Sequence, residues 1–219
     1  MPYLDADQAR RVYDRIGRLQ DTQRFYEHRA VDLLVAGGRF GDAHAVVEVG
    51  CGTGALAARL LGRELPADAE LVGVDLSPRM AALARDRVAP FGARARIELG
   101  DASERIPVAD GWADRLVSAY VLDLLPPEHA RHVVAEAARA LLPGGLLCLA
   151  SLTTGHGAAA RLLATTWSRV WALRPQLVGG CRPSDLLPLL AGPAWHVESA
   201  QVVTTLAVGS QVVIARRAA

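Results

Sequence analysis

The sequence predicts one doubly wound α/β layer, a mostly parallel sheet with helices on both faces. Three observations carry that prediction. Short apolar runs alternate with helical segments five times between residues 45 and 151. The runs are continuous rather than alternating, as strands covered on both faces should be. After a further helical stretch, two β-rich runs follow each other across a short turn, which demands antiparallel pairing at the end of the sheet.

The elements follow in order. Residues 5–36 carry apolar or aromatic positions near helical spacing, at Val12, Ile16 and Leu19 and then Phe25, Tyr26, Val31, Leu34 and Val35. Gly37-Gly38 is the stop signal of the second helix in this stretch. AVVEVG (45–50) is a first strand and ALAARLLGREL (55–65) a helix. ELVGVDL (70–76) is a second strand, and Ser77-Pro78 caps and opens a helix over 78–89. ARIELGD (95–101) and WADRLVSAY (112–120) are strands three and four. PPEHARHVVAEAARALL (126–142) is a helix stopped by Pro143-Gly144-Gly145, and LLCLAS (146–151) is strand five. Residues 157–173 form a helix, 183–191 a shorter one opened by Pro183, and 195–206 with 209–217 the closing hairpin, turning at Ala207 to Gly209. The chain thus divides into a helical segment 1–38, an alternating core 45–151, a helical segment 152–192 and the hairpin 193–219, all within one domain.

Composition narrows the function classes. The chain has 219 residues, enough for one well-filled core, with 51% hydrophobic and 21% charged residues. The formal net charge is +1, so no broad field favours nucleic acid. Every one of the 24 basic residues is arginine, which excludes Schiff-base and P-loop lysine chemistry. Cys51, Cys148 and Cys181 lie far apart, with no zinc spacing and no even pairing, so no metal site is expected and a reducing cytoplasm is. MPYLDADQARR has no apolar signal-peptide core, and no run reaches the roughly 18 apolar residues of a membrane span, so stable membrane insertion is not expected.

The chemistry concentrates at VVEVGCGTG. Gly50, Gly52 and Gly54 lie at a strand-to-helix turn, where backbone can approach a ligand, at the end of the sheet where open α/β layers bind. Gly50, Gly52 and Ala55 also satisfy the dinucleotide pattern G-x-G-x-x-G/A, so the loop alone leaves two nucleotide cofactors open. Glu48 lies inside an apolar strand, where a carboxylate needs partners such as loop N–H groups or a ligand's ammonium. Asp75 ends strand two 21 residues past the loop (75 − 54) and suits two ribose hydroxyls; its competing role is a helix cap. Asp101 ends strand three and suits an adenine amine, or else an ordinary solvated turn.

VVEVGCGTG, VGVDLS, LGDA and LLPGGLLCLAS, in this order, resemble the successive motifs of class I S-adenosylmethionine-dependent methyltransferases. The resemblance covers residues 45–151 and is nearest in flavour to the ubiquinone and menaquinone C-methyltransferases and phospholipid N-methyltransferases. It implies a Rossmann-like seven-stranded sheet in the order 3-2-1-4-5-7-6 with strand 7 antiparallel. It implies S-adenosyl-L-methionine as cofactor: Glu48, Gly50, Cys51, Gly52, Thr53 and Gly54 at the methionine part, Asp75 and Leu76 at the ribose, Asp101 and Ala102 at the adenine. Ser118, Ala119 and Tyr120 would lie under the sulfur. The opening helices, with Tyr13-Asp14-Arg15, are similar to the N-terminal lid of that group, so the resemblance implies a lid over 1–38, a cofactor-binding core over 45–151 and an acceptor-side segment over 152–192. The chain lacks the Asn/Asp-Pro-Pro-Tyr/Phe of DNA amino-methylation and the paired cysteines of arsenic methylation. Its segment after strand five is shorter and less aromatic than in quinone methyltransferases.

The expected reaction is in-line methyl transfer to a small apolar or aromatic acceptor, with orientation and water exclusion as the protein's main contribution. His156 is the first candidate base and Tyr120 a second catalytic candidate; His28, Asp123 and His129 are further bases. Trp167 and Trp171 share a helical face, as core packing or as an apolar lid opposite Tyr3, Tyr13 and Tyr26. Arg174 and Arg182 could meet an acceptor's carboxylate or phosphate. Two other functions remain: a non-catalytic S-adenosylmethionine-binding or partner protein, and an NAD-dependent oxidoreductase, which would need a Tyr-x-x-x-Lys dyad that a lysine-free chain cannot have. A homodimer is left open.

Overall fold

Val46 and Val47 are both fully enclosed, yet they belong to different cores. They are neighbours in the strand β1 (Ala45–Val49), so their side chains leave opposite faces of the sheet, and helices must cover both. In the computed structural model, which describes residues 24–219 together with Tyr3, Gln8 and Arg11, that is the arrangement. Helices α1 (Arg24–Gly38), α2 (Ala55–Arg59) and α3 (Pro78–Val88) supply one core through Leu34, Leu60, just beyond α2, and Ala84. Helix α4 (Pro127–Ala140) and Leu186 supply the other.

The sheet comprises β1, β2 (Glu70–Asp75), β3 (Ala95–Leu99), β4 (Ala113–Ala119), β5 (Leu141–Thr153), β6 (Trp195–Thr205) and β7 (Val208–Arg217). Its order is β3-β2-β1-β4-β5-β7-β6. The first five strands are parallel, and β7 runs antiparallel between β5 and β6. Order and direction are those the resemblance implied. Helix α5 (Ala158–Leu173) follows β5. No helix among the described residues is long and apolar enough to cross a membrane. Val12, Ile16, Leu19 and Tyr13-Asp14-Arg15 lie outside the described residues.

Several boundaries differ from the sequence reading. Helix α4 ends at Ala140, and Leu141 already pairs with Ala113, because its fully buried side chain belongs to the core. Pro143-Gly144-Gly145 is therefore a bulge within β5 rather than a helix stop: the register jumps from Leu141 to Leu146 as the partner advances from Ala113 to Arg115. Residues 60–64 widen into one π turn, closed by Leu65 N–H to Leu60 O at 2.9 Å. The stretch 183–191 holds only a 3₁₀ turn at Leu187–Leu190, because Leu186 N–H donates instead to Gln211 Oε1 at 2.8 Å. The hairpin turns on Leu206-Ala207, one position earlier than expected, with φ of 50° and 66°. Helix α1 also includes Gly37 and Gly38, and Arg39 at φ 49° turns the chain.

Candidate functional site

The loop between β1 and α2 is held from below by the next strand. Gly50 N–H and Cys51 N–H both donate to Val74 O, at 2.8 and 3.1 Å. Gly50, Gly52 and Gly54 all have positive φ, of 69°, 52° and 74°. Two of them also lack room for a side chain. A Cβ on Gly50 would lie 2.3 Å from Val121 Cγ2, and one on Gly54 would lie 2.8 Å from the Ala84 backbone. The glycines thus let the loop turn and let α2 close on α3.

Asp75, at the tip of β2, accepts Gly52 N–H through Oδ2 at 2.8 Å and Ser77 N–H through Oδ1 at 2.9 Å. The carboxylate ties the glycine loop to the start of α3 and still borders the cavity. The helix cap is Ser77, whose Oγ accepts Met80 N–H. Asp101 Oδ1 accepts Ser103 N–H at 2.8 Å, so Asp101 both organises its turn and borders the same cavity.

That cavity, about 400 Å³, runs over the carboxyl ends of β1, β2, β3 and β4. Gly50, Gly52, Asp75, Leu76, Asp101, Ala102, Ala119 and Tyr120 all line it. A second space of about 140 Å³ adjoins it, sharing Gly50, Gly52, Ala119 and Tyr120 as walls and lined further by Glu48, Cys51 and Thr53. Glu48 is 4% exposed, and its Oε2 has no hydrogen-bond partner. Burial, then the charge of Asp75, pushes its carboxyl up to about 8, against a backbone hydrogen bond from Ala57. Thr53 Oγ1 accepts from Arg87 Nη1 at 2.7 Å. Burial likewise raises the Cys51 thiol well above the cysteine range, so it is a packed thiol and not a nucleophile.

Tyr120 stands where the two spaces meet, with φ of 58°, a strained backbone for a tyrosine. Its hydroxyl shares a 2.8 Å hydrogen bond with Ser210 Oγ, and its ring meets Tyr26 edge-on at 6.3 Å. Burial raises its phenol above the tyrosine range.

Three of the candidate residues stand apart from both spaces. Gly54 acts behind the loop. Ser118 is buried and donates from Oγ to Val49 O at 3.1 Å, within the sheet. His156 is exposed, its backbone N–H held by Thr204 Oγ1 at 2.8 Å. Of the other bases, His129 lines the larger space and His28 the smaller. Asp123 is fully buried, and burial pushes its carboxyl up to about 7, against the nearby backbone N–H groups of Asp123 and Leu152, the Ser151 hydroxyl and Arg182, none of which meets hydrogen-bond geometry with either carboxylate oxygen.

The side of the larger space expected to meet the acceptor is aromatic. Tyr3 lines the larger space and meets the Trp171 ring edge-on at 5.1 Å. The Trp167 and Trp171 indoles donate to Cys181 O and Gly180 O, so both tryptophans pin the segment after α5. Arg182 lies 5.0 Å from the Tyr3 ring and 5.4 Å from that of Trp171. Leu124, Leu125, Pro126 and Val133 complete an apolar wall that the sequence reading did not single out.

A family model described as a methyltransferase domain matches residues 46–145. A carboxy-S-adenosyl-L-methionine synthase of Chromohalobacter salexigens is 43% identical over 112 residues, which are 51% of this chain and 40% of that protein. A ubiquinone/menaquinone biosynthesis C-methyltransferase UbiE of Geobacter sulfurreducens is 31% identical over 152 residues, 65% of this chain and 54% of that protein. The chain thus spans about half the length of the curated relatives it matches. Among solved structures, the [4+2]-cyclase SpnF superposes with a TM-score of 0.76 at 16% identity, over 99% of this chain and 97% of that one, a likeness of fold. Residues 46–145, which hold the glycine loop and the strand-tip carboxylates, thus match a methyltransferase domain, and they do so within a sheet of the order that resemblance to the class I S-adenosylmethionine-dependent methyltransferases implied.

Proposed function

We propose that the chain transfers a methyl group from S-adenosylmethionine to a small apolar or aromatic acceptor. The observation that carries the reading is the unpartnered Glu48 oxygen beside the smaller of two adjoining spaces, with Asp75 and Asp101 along the larger. A buried, unpaired carboxylate is costly, and a ligand ammonium would relieve it. The residues fit the cofactor: Glu48 and the Gly50–Thr53 backbone at the methionine end, Asp75 at the ribose, Asp101 and Ala102 at the adenine. When bound, the cofactor supplies a methyl group already activated by a positive sulfur.

The chain's own residues then bind, orient and exclude water. Tyr120 and Ala119 separate the two halves of the crevice and fix where a sulfur can sit. Tyr3, Leu124, Leu125 and Val133 offer the acceptor an apolar wall and keep water out. No general base is required by this reading. Should the nucleophile carry a proton, His129 is the candidate that borders the acceptor space, whereas His156 would have to move to reach it.

One second reading is an adenosylmethionine-binding protein that does not transfer methyl, since the residues argued to hold the cofactor would serve binding alone equally well. Calorimetry with S-adenosylhomocysteine and NAD, followed by turnover on an acceptor panel, separates the cases. Binding of the first alone with turnover is expected. Binding without turnover on any acceptor favours the second reading, and no heat with S-adenosylhomocysteine refutes both. Asp75→Ala should weaken binding at least about tenfold, since it removes the ribose acceptor and two loop hydrogen bonds.

A further inference from the structure

Helix α5 has an outer face that nothing in the fold explains. Leu162 and Leu173 are 70% and 83% exposed, and Leu177, in the 3₁₀ turn that follows, is 70% exposed. At 100° per residue, Leu162, Thr166, Arg169 and Leu173 fall within an arc of about 60°. Arg161 and Arg174 are exposed beside that stripe. None of these three arginines has an ion pair among the described residues. No Asp or Glu occurs between Glu136 and Asp185, so this part of the chain is cationic although the whole is nearly neutral. The opposite side of the same helix leads to the cavity: Trp171 touches Tyr3, which lines it.

We propose that this face is a docking surface for an anionic lipid bilayer. Exposed leucines interleaved with unpaired arginines match the interface of such a membrane, where apolar side chains enter the acyl boundary and cations meet headgroup phosphates. Nucleic acid is a poorer fit, because the exposed stripe offers leucines and threonines where stacking rings would be needed. Docking would set the acceptor side of the crevice against a lipid phase. The proposal stands apart from methyl transfer, since the face and the crevice are separate surfaces.

Sedimentation with vesicles of phosphatidylcholine alone, and of phosphatidylcholine with phosphatidylglycerol, tests it. Binding to the anionic vesicles is expected to be stronger by about two orders of magnitude for three arginines, and to weaken with salt. Leu173→Ser with Leu177→Ser should reduce it at least about tenfold. Arg161→Gln with Arg169→Gln should cut the preference for anionic lipid at least about tenfold. Calorimetry with S-adenosylhomocysteine on the same variants should be unchanged, which reports on the fold and on the crevice independently of the vesicles. No vesicle binding, equal binding to both vesicle types, undiminished binding by the leucine variant, or self-association that covers the leucines overturns the proposal.

Discussion

Glu48 and Asp123 are both buried acids with raised carboxyls, yet they belong to different problems. Glu48 opens on the crevice, so a ligand cation can restore its charge. Its carboxyl sits at about 8 in the free protein, so ligand binding should draw a proton off it at lower pH. Affinity for S-adenosylhomocysteine is therefore expected to rise with pH up to about 8, at most tenfold per unit, and to level off above. Calorimetry in buffers of different ionisation enthalpy should detect the released proton, and Glu48→Gln should flatten the profile. Asp123 lines neither space. Its folded value of about 7 lies above the ordinary 3.8, so its stabilising contribution is complete below 3.8 and lost as pH rises through about 7. Asp123→Asn should therefore gain thermal stability relative to the wild type as pH rises from about 4 to about 7, with the difference level above that; a constant difference over the whole range would mean that the acid titrates in the ordinary carboxylate range. Glu48, Asp75 and Asp101 were legible in the sequence because a carboxylate at the tip of an apolar run stands out. The isolation of Asp123 was not, because it depends on what β5 and the segment at Arg182 bring over it.

Whole elements were legible wherever one face or both had to be buried. β1, β2 and β4 follow from their apolar runs, and α3 from its Ser-Pro start. The failures share a cause: a distant partner outweighed local chemistry. Pro143-Gly144-Gly145 reads as a helix stop, but burial of Leu141 draws the chain into the sheet first. Leu186 gives its N–H to Gln211, and no helix forms around it. Leu206-Ala207 carries none of the residues that a two-residue turn with positive φ prefers, so its place could not be read. That mismatch makes a prediction. Leu206→Asn with Ala207→Gly keeps the observed backbone and removes left-handed strain of about 1 kcal/mol at each position. In a chain of this size the melting temperature should rise by roughly 4–8 °C, measured by calorimetry. An unchanged or lower value would show that the exposed Leu206 side chain or a different turn stabilises the hairpin.

At the scale of the molecule, the sheet argues against independent parts. We infer one domain, because every strand from Ala45 to Arg217 belongs to one hydrogen-bonded sheet. Helix α1 packs on β5 and β7, which are remote in sequence, and the segment after α5 is tied back through Arg182 N–H to Asp123 O and Ser184 N–H to Leu152 O. Such interleaving should make unfolding cooperative. The chain is expected to melt in a single calorimetric transition whose measured and van't Hoff enthalpies agree. A ligand that grips the tips of β1, β2 and β3 then stabilises the whole unit rather than one half. At a hundredfold excess over its dissociation constant, S-adenosylhomocysteine should add about 2.7 kcal/mol, shifting that one transition upward by roughly 5–11 °C. Two transitions, of which only one moved with ligand, would instead mark the acceptor-side segment as a unit with its own stability.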